Sequence, residues 1–98
     1  MKKWLIIFLS GHIIAYSQTP PHVNAHAHND YEHSHPFFDA LENGFTSIEA
    51  DVHLVDGRLL VSHHRPNGAA RTLASLYLAP MDSVRKKNGG WIYPSHAR

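Results

Sequence analysis

The stretch SIEADVHLVDGRLLVSHH, residues 47–64, decides how the rest of the chain is read. Glu49 and Asp51 stand two residues apart in an apolar, β-branched run from Ile48 to Val55. On a strand, side chains at i and i+2 share a face, so the two carboxylates would project together. Asp56-Gly57 is a turn signal, and Arg58 to Val61 is a second short apolar run that ends at His63 and His64. A three-residue loop, Val55-Asp56-Gly57, with Gly57 at the positive-φ position of a bulge, would set Leu54 opposite Arg58 and Glu49 opposite His63. A two-residue turn would shift the register by one and set His63 opposite Ala50. The bulged form gathers two acids and an imidazole in one place. The competing reading is a surface hairpin with ordinary solvated charges.

Working outward, His22 to His28 alternates as a first strand, with His26 and His28 on one face at its end. Asn29-Asp30-Tyr31 breaks that strand and opens a polar loop. Pro36 suits the first turn of a helix carrying Phe37, Phe38, Ala40 and Leu41, and Asn43-Gly44 suits its C-terminal cap. Strand, helix and strand in so short a span form a βαβ unit, which implies a parallel sheet and an α/β fold. In α/β barrels, catalytic residues sit at the carboxyl ends of such strands. Beyond His64 the pattern predicts a short helix or turn over Thr72–Leu78 and a helix over Met81–Lys87 closed by Asn88-Gly89-Gly90.

Composition narrows the function classes. The chain has 98 residues, 43% hydrophobic and 17% charged, a balance suited to one small globular domain. Its net charge of +1 gives no basic footprint for nucleic acid. The absence of cysteine excludes disulfides and thiolate metal sites. Ten histidines are the outlier, and histidine is the residue of metal sites and of proton transfer near neutral pH. Residues 1–17 read as a signal peptide: Lys2-Lys3, an apolar core from Trp4 to Leu9 with Ile13-Ile14, and a small-x-small cleavage site at Ala15-Tyr16-Ser17. The apolar stretch is too short to remain as a stable transmembrane anchor, so export to a periplasm or the exterior is expected.

The block His28-Asn29-Asp30-Tyr31, the helix ending at Gly44, Ile48-Glu49-Ala50-Asp51-Val52, Asp56-Gly57 and Val61-Ser62-His63 together resemble the glycerophosphodiester phosphodiesterase superfamily, which includes the phosphatidylinositol-specific phospholipase C-like enzymes. The His-Asn-Asp-Tyr block, Leu54-Val55-Asp56-Gly57, and Arg71-Thr72-Leu73 through Leu76-Tyr77-Leu78 are similar to its altered-inheritance-of-mitochondria branch. The likeness runs from about Val23 to Tyr93. It implies a TIM-type (β/α)8 barrel that hydrolyses a phosphodiester, with a small molecule or a lipid head group as substrate.

By position, the resemblance makes His28 and His63 the catalytic acid and base, and Glu49 and Asp51 the holders of a divalent cation, Mg²⁺ or Ca²⁺. His26, Asn29 and His64 could support these from behind. A hard cation suits carboxylate oxygens, and two imidazoles suit proton transfer to and from the diester oxygens. Two features depart from the glycerophosphodiesterase pattern: Asn29-Asp30 stands where it has Arg-Gly, and His64 where it usually has Asp. Both bear on the substrate class more than on the chemistry. A complete barrel takes about 250 residues, so residues 18–98 read as the truncated N-terminal part of one, expected to be poorly stable and inactive alone. Two other readings stand beside this one. The His26-x-His28 pair also fits a metal-dependent amidohydrolase-like hydrolase, and the histidine content fits a secreted metal-binding module.

Overall fold

The computed structural model describes residues 20–94. The expected export signal and the last four residues lie outside that span. β1 (His22–Ala27) pairs in parallel with β2 (Phe45–Ile48), with His22 opposite Phe45, His26 opposite Ser47 and Ala27 opposite Ile48. α1 (Phe38–Glu42) lies between them in the chain, so the βαβ unit read from the sequence is present. It is a single short turn of helix, and its end is set by Gly44, whose φ of 77° allows its N–H to reach back to Leu41 O at 3.1 Å. On β1 the small Ala27 is buried while its neighbours His26 and His28 face outward.

The apolar run from Ile48 to Val55 is not one strand. β2 ends at Ile48, and β3 (Val52–Val55) begins a separate antiparallel hairpin with β4 (Arg58–Val61). Backbone bonding explains the break. Glu49 N–H bonds Ala27 O at 2.9 Å and Glu49 O accepts Asp30 N–H at 3.3 Å, so Glu49 belongs to the first sheet. Asp51 O accepts Ser62 N–H at 3.0 Å, so Asp51 belongs to the hairpin. Ala50 is the handover between the two, and its small side chain packs against the core.

The hairpin turn corrects the bulged register. Val55 pairs with Arg58 and Leu54 with Leu59, leaving a two-residue turn of Asp56 and Gly57. Both turn residues have positive φ, 50° and 76°, which is the type I′ turn whose twist matches the flanking strands. Aspartate tolerates the left-handed region, so no third loop residue is needed. Glu49 is therefore not set opposite His63.

After the hairpin the chain returns beside β4, where Val61 N–H bonds Arg71 O at 2.8 Å. Thr72 caps the next element through its hydroxyl, which accepts Ser75 N–H at 3.1 Å. That element is a π-helix (Ala74–Leu78) running directly into α2 (Ala79–Lys87). Two separate segments were expected here, and Pro80 explains the fusion. Proline has no N–H to donate to the carbonyl four residues back, and the wider turn, in which Ala79 N–H reaches Ala74 O, carries the helix past it.

α1, β2, β4, the π-helix and α2 meet in one core of Tyr31, Phe37, Val61, Leu76 and Tyr77, flanked by Leu41, Ile48, Ala50, Leu73, Met81 and Val84. Tyr93 adds a polar tie, its hydroxyl 2.8 Å from Phe45 O and 3.1 Å from Leu41 O. The class is α/β as expected, but among the described residues the four strands form two two-stranded sheets and no closed barrel. Nor is any described helix long and apolar enough to cross a membrane.

Candidate active site

Two pairs of histidine and carboxylate gather where β1, β2 and the hairpin meet. The first lies across the parallel sheet. His28 Nε2 approaches Glu49 Oε1 at 3.6 Å, and His26 Nε2 lies 3.9 Å from Glu49 Oε2. His26 is steadied from its other nitrogen, since Nδ1 is 2.7 Å from Ser47 Oγ on the facing strand. The second pair belongs to the hairpin, with His63 Nδ1 3.3 Å from Asp51 Oδ2. All four groups are partly solvent-exposed, with Glu49 and Asp51 side chains at 36% and 38% and His28 and His63 at 72% and 53%. They form a rim rather than a buried pocket.

Tyr31 connects this rim to the interior. Asn29 adopts the left-handed conformation at the end of β1, φ 49° and ψ 44°, and turns the chain into a short 3-10 helix, Asp30–Glu32. That turn sends the Tyr31 ring into the core and brings its hydroxyl to Asp51 Oδ2 at 2.6 Å. The same hydroxyl lies 3.3 Å from Asn29 Oδ1 and 3.4 Å from His63 Nδ1. Hydrogen bonds from Tyr31 and then His63 hold the Asp51 carboxyl below its usual range, and the charge of His28 adds to this. Burial pushes the Tyr31 phenol up, and so do the hydrogen bond and charge of Asp51 and the charges of Glu32 and Glu49. His28 thus acts on Asp51 and Glu49 on Tyr31, so the two pairs share one electrostatic environment.

Ionised Asp51 only accepts hydrogen bonds, so Nδ1–H of His63 is the donor in this pair. His64 packs edge-on against His63 with ring centroids 4.7 Å apart. His53 places Nε2 3.0 Å from Ser62 O. His35 pairs locally with Asp39 at 3.2 Å.

The structure therefore groups His26, His28 and Glu49 on one side and His63, Asp51 and Asn29 on the other, but pairs His63 with Asp51 instead of Glu49. Among the described residues no three histidine or acidic side chains converge closely enough to hold a metal by themselves. A tetrahedral zinc site needs such convergence. A hard cation does not, because Mg²⁺ is commonly held by one or two carboxylates with water and substrate phosphate completing the shell. The half-exposed oxygens of Glu49 and Asp51 fit that donor set.

Tyr31, Asp30, Tyr77 and Ser47 were given no role in the site from the sequence. Asp30 is 1% exposed and accepts Phe37 N–H at 2.6 Å and Tyr77 O–H at 2.8 Å. The available signal was the aromatic Tyr31 beside an acid in a polar loop, since a tyrosine near a core usually buries its ring and finds a partner for its hydroxyl.

A sequence model for the AIM6-like phosphodiesterase domain matches residues 16–92. The chain belongs to that family. Among its curated relatives, altered inheritance of mitochondria protein 6 of Lachancea thermotolerans is 48% identical over 60 residues, covering 57% of this chain and 14% of that protein. The homolog from Arthroderma benhamiae is 42% identical over 72 residues, 66% of this chain and 23% of its own length. The Kluyveromyces lactis protein is 44% identical over 75 residues, covering 71% and 18%. The chain thus spans less than a quarter of the length of these relatives. No solved structure matches it.

Proposed function

We propose that this chain supplies the histidine–carboxylate wall of a metal-dependent phosphodiester hydrolase, and that its βαβ unit is the first of a (β/α)8 barrel of the glycerophosphodiesterase type. The observation that carries the reading is the rim itself, where two histidines each face a carboxylate beside the carboxyl end of β2 and the start of β3, in a family described as phosphodiesterase-like. Glu49 and Asp51 would hold Mg²⁺ or Ca²⁺. When bound, the cation offsets negative charge on the phosphate. His63, with its proton fixed on Nδ1 by Asp51, has Nε2 free to take the proton of an attacking hydroxyl. His28, beside Glu49, is placed to return a proton to the leaving alkoxide. The substrate class is a small-molecule or lipid-head-group phosphodiester. Export by the leader read over residues 1–17 is part of the same proposal. N-terminal sequencing of the expressed protein should then begin at Gln18.

The test is a chimera in which this chain replaces the matching segment of the Lachancea thermotolerans relative, assayed with bis(p-nitrophenyl) phosphate and glycerophosphodiesters. The expected outcome is Mg²⁺- or Ca²⁺-dependent turnover that His63→Ala lowers by at least about 100-fold while metal binding persists. A folded chimera whose turnover is unaffected by His63→Ala would remove the acid–base assignment. One with no metal-dependent diesterase activity would remove the function.

A further inference from the structure

We infer that Tyr31 is a positioning residue that sets which oxygen of Asp51 faces the protein and which faces ligand, an inference that rests on the phosphodiesterase reading above. Three observations carry it. The Tyr31 ring is 9% exposed and packed among Phe37, Val61, Leu76 and Tyr77, so the hydroxyl has little freedom to move. That hydroxyl donates to Asp51 Oδ2 at 2.6 Å, a short, charge-assisted bond. His63 Nδ1 meets the same oxygen at 3.3 Å, so Oδ2 is shared by two protein donors. Oδ1 has no protein hydrogen bond among the described residues and is left for a cation or its water. The phenol thereby fixes the carboxylate plane, and through the shared Oδ2 it also fixes the ring orientation of His63. Asn29 and Asp30 set the approach angle, since the left-handed turn at Asn29 and the buried Asp30 carboxylate aim the following residue inward.

Outer partners that orient a ligating carboxylate commonly account for about 10–100-fold in metal affinity or activity. Tyr31→Phe keeps the ring and its packing and removes only the oxygen. In the full chain, Mn²⁺ titration should show binding weakened by about 10–100-fold, and ¹⁵N NMR of the imidazoles should show His63 losing its single Nδ1–H tautomer. The unfolding midpoint should fall by less than in Tyr77→Phe, because Asp51 is partly exposed and water can replace the phenol. Tyr77→Phe, which deletes the same atom from the interior pair, should shift the midpoint and leave the His63 signal as in the wild type. Unchanged Mn²⁺ affinity together with an unchanged His63 spectrum in Tyr31→Phe would overturn the inference and leave Tyr31 a packing residue. Neither readout depends on turnover. An altered His63 spectrum in a protein whose chimera hydrolyses no phosphodiester would keep the positioning role and reject the reaction.

Discussion

Two tyrosine–aspartate pairs with nearly the same chemistry stand a few residues apart and serve different ends. Tyr77 donates to Asp30 at 2.8 Å, and Tyr31 donates to Asp51 at 2.6 Å. Asp30 is 1% exposed, and its bonds from Tyr77 and from the Phe37 backbone come from inside the fold. Both donors to Asp30 meet its Oδ2, just as Tyr31 and His63 both meet Oδ2 of Asp51, but Asp51 lies at the rim with its side chain 38% exposed. Burial decides the difference. An enclosed carboxylate with two donors is a joint between segments, whereas one that is partly open to solvent can still take a ligand on its second oxygen.

The interior joint should be the more costly to break. Asp30 ties the loop after β1 to the π-helix 47 residues away and also secures Phe37. Phe37 has φ 67° and ψ −52°, and Phe38 N–H bonds Pro36 O at 2.8 Å, which together make a γ-turn of the strained hand. Such a conformation costs about 1–3 kcal/mol and persists only where its surroundings enforce it. Asp30→Ala leaves two buried donors unpaired, at about 1–3 kcal/mol each. Urea unfolding should show a loss of about 3–5 kcal/mol, with binding at the rim declining only as the fold does. A loss under about 1 kcal/mol would mean that the γ-turn is held by the packing of the Phe37 ring alone.

Tyr77→Phe is the milder version of the same break. It removes one hydrogen bond to a charged group and keeps the ring among Tyr31, Phe37 and Leu76, so the expected loss is about 1.5–3 kcal/mol. Set beside Tyr31→Phe it sharpens the contrast, since one variant should mainly lower stability and spare the rim while the other should mainly weaken the rim. Equal effects on both readouts would show the two pairs acting as one network.

Local patterns were legible in the sequence, and long-range contacts were not. Alternation from His22 to Ala27 and the Asn43-Gly44 cap were enough to place the parallel βαβ unit, because both are set by neighbours in the chain. Asp56-Gly57 marked the turn, but the register was missed because aspartate itself enters the positive-φ region there. That single residue moved the partner of His63 from Glu49 to Asp51. The Glu49-x-Asp51 spacing suggested a shared strand face, whereas a change of sheet at Ala50 gives each acid its own histidine. Asp30 was read as a strand breaker and as part of the His28–Tyr31 block, not as a buried joint. Its donors lie 7 and 47 residues away, and no local pattern encodes them. The helix through Pro80 read as two segments, because a π turn that absorbs a proline has no composition signal of its own.

The smallest effect expected is on the alkaline side, and it separates the pairs by environment. Burial and the facing Asp30 carboxylate push the Tyr77 phenol up, burial and Asp51 do the same for Tyr31, and burial alone raises Tyr93. A raised phenol keeps its proton in the folded chain after the unfolded chain has lost it near pH 10. Its contribution to stability is complete below about pH 10 and is lost as pH rises toward the folded value. The urea midpoint of the wild type should therefore fall steadily above pH 10. Tyr77→Phe and Tyr31→Phe should each flatten that fall, and to a similar degree, because both phenols are raised alike. If Tyr31→Phe follows the wild-type slope, the Asp51 carboxylate is not holding the rim phenol protonated. The distinction between joint and site would then rest on Asp30 alone.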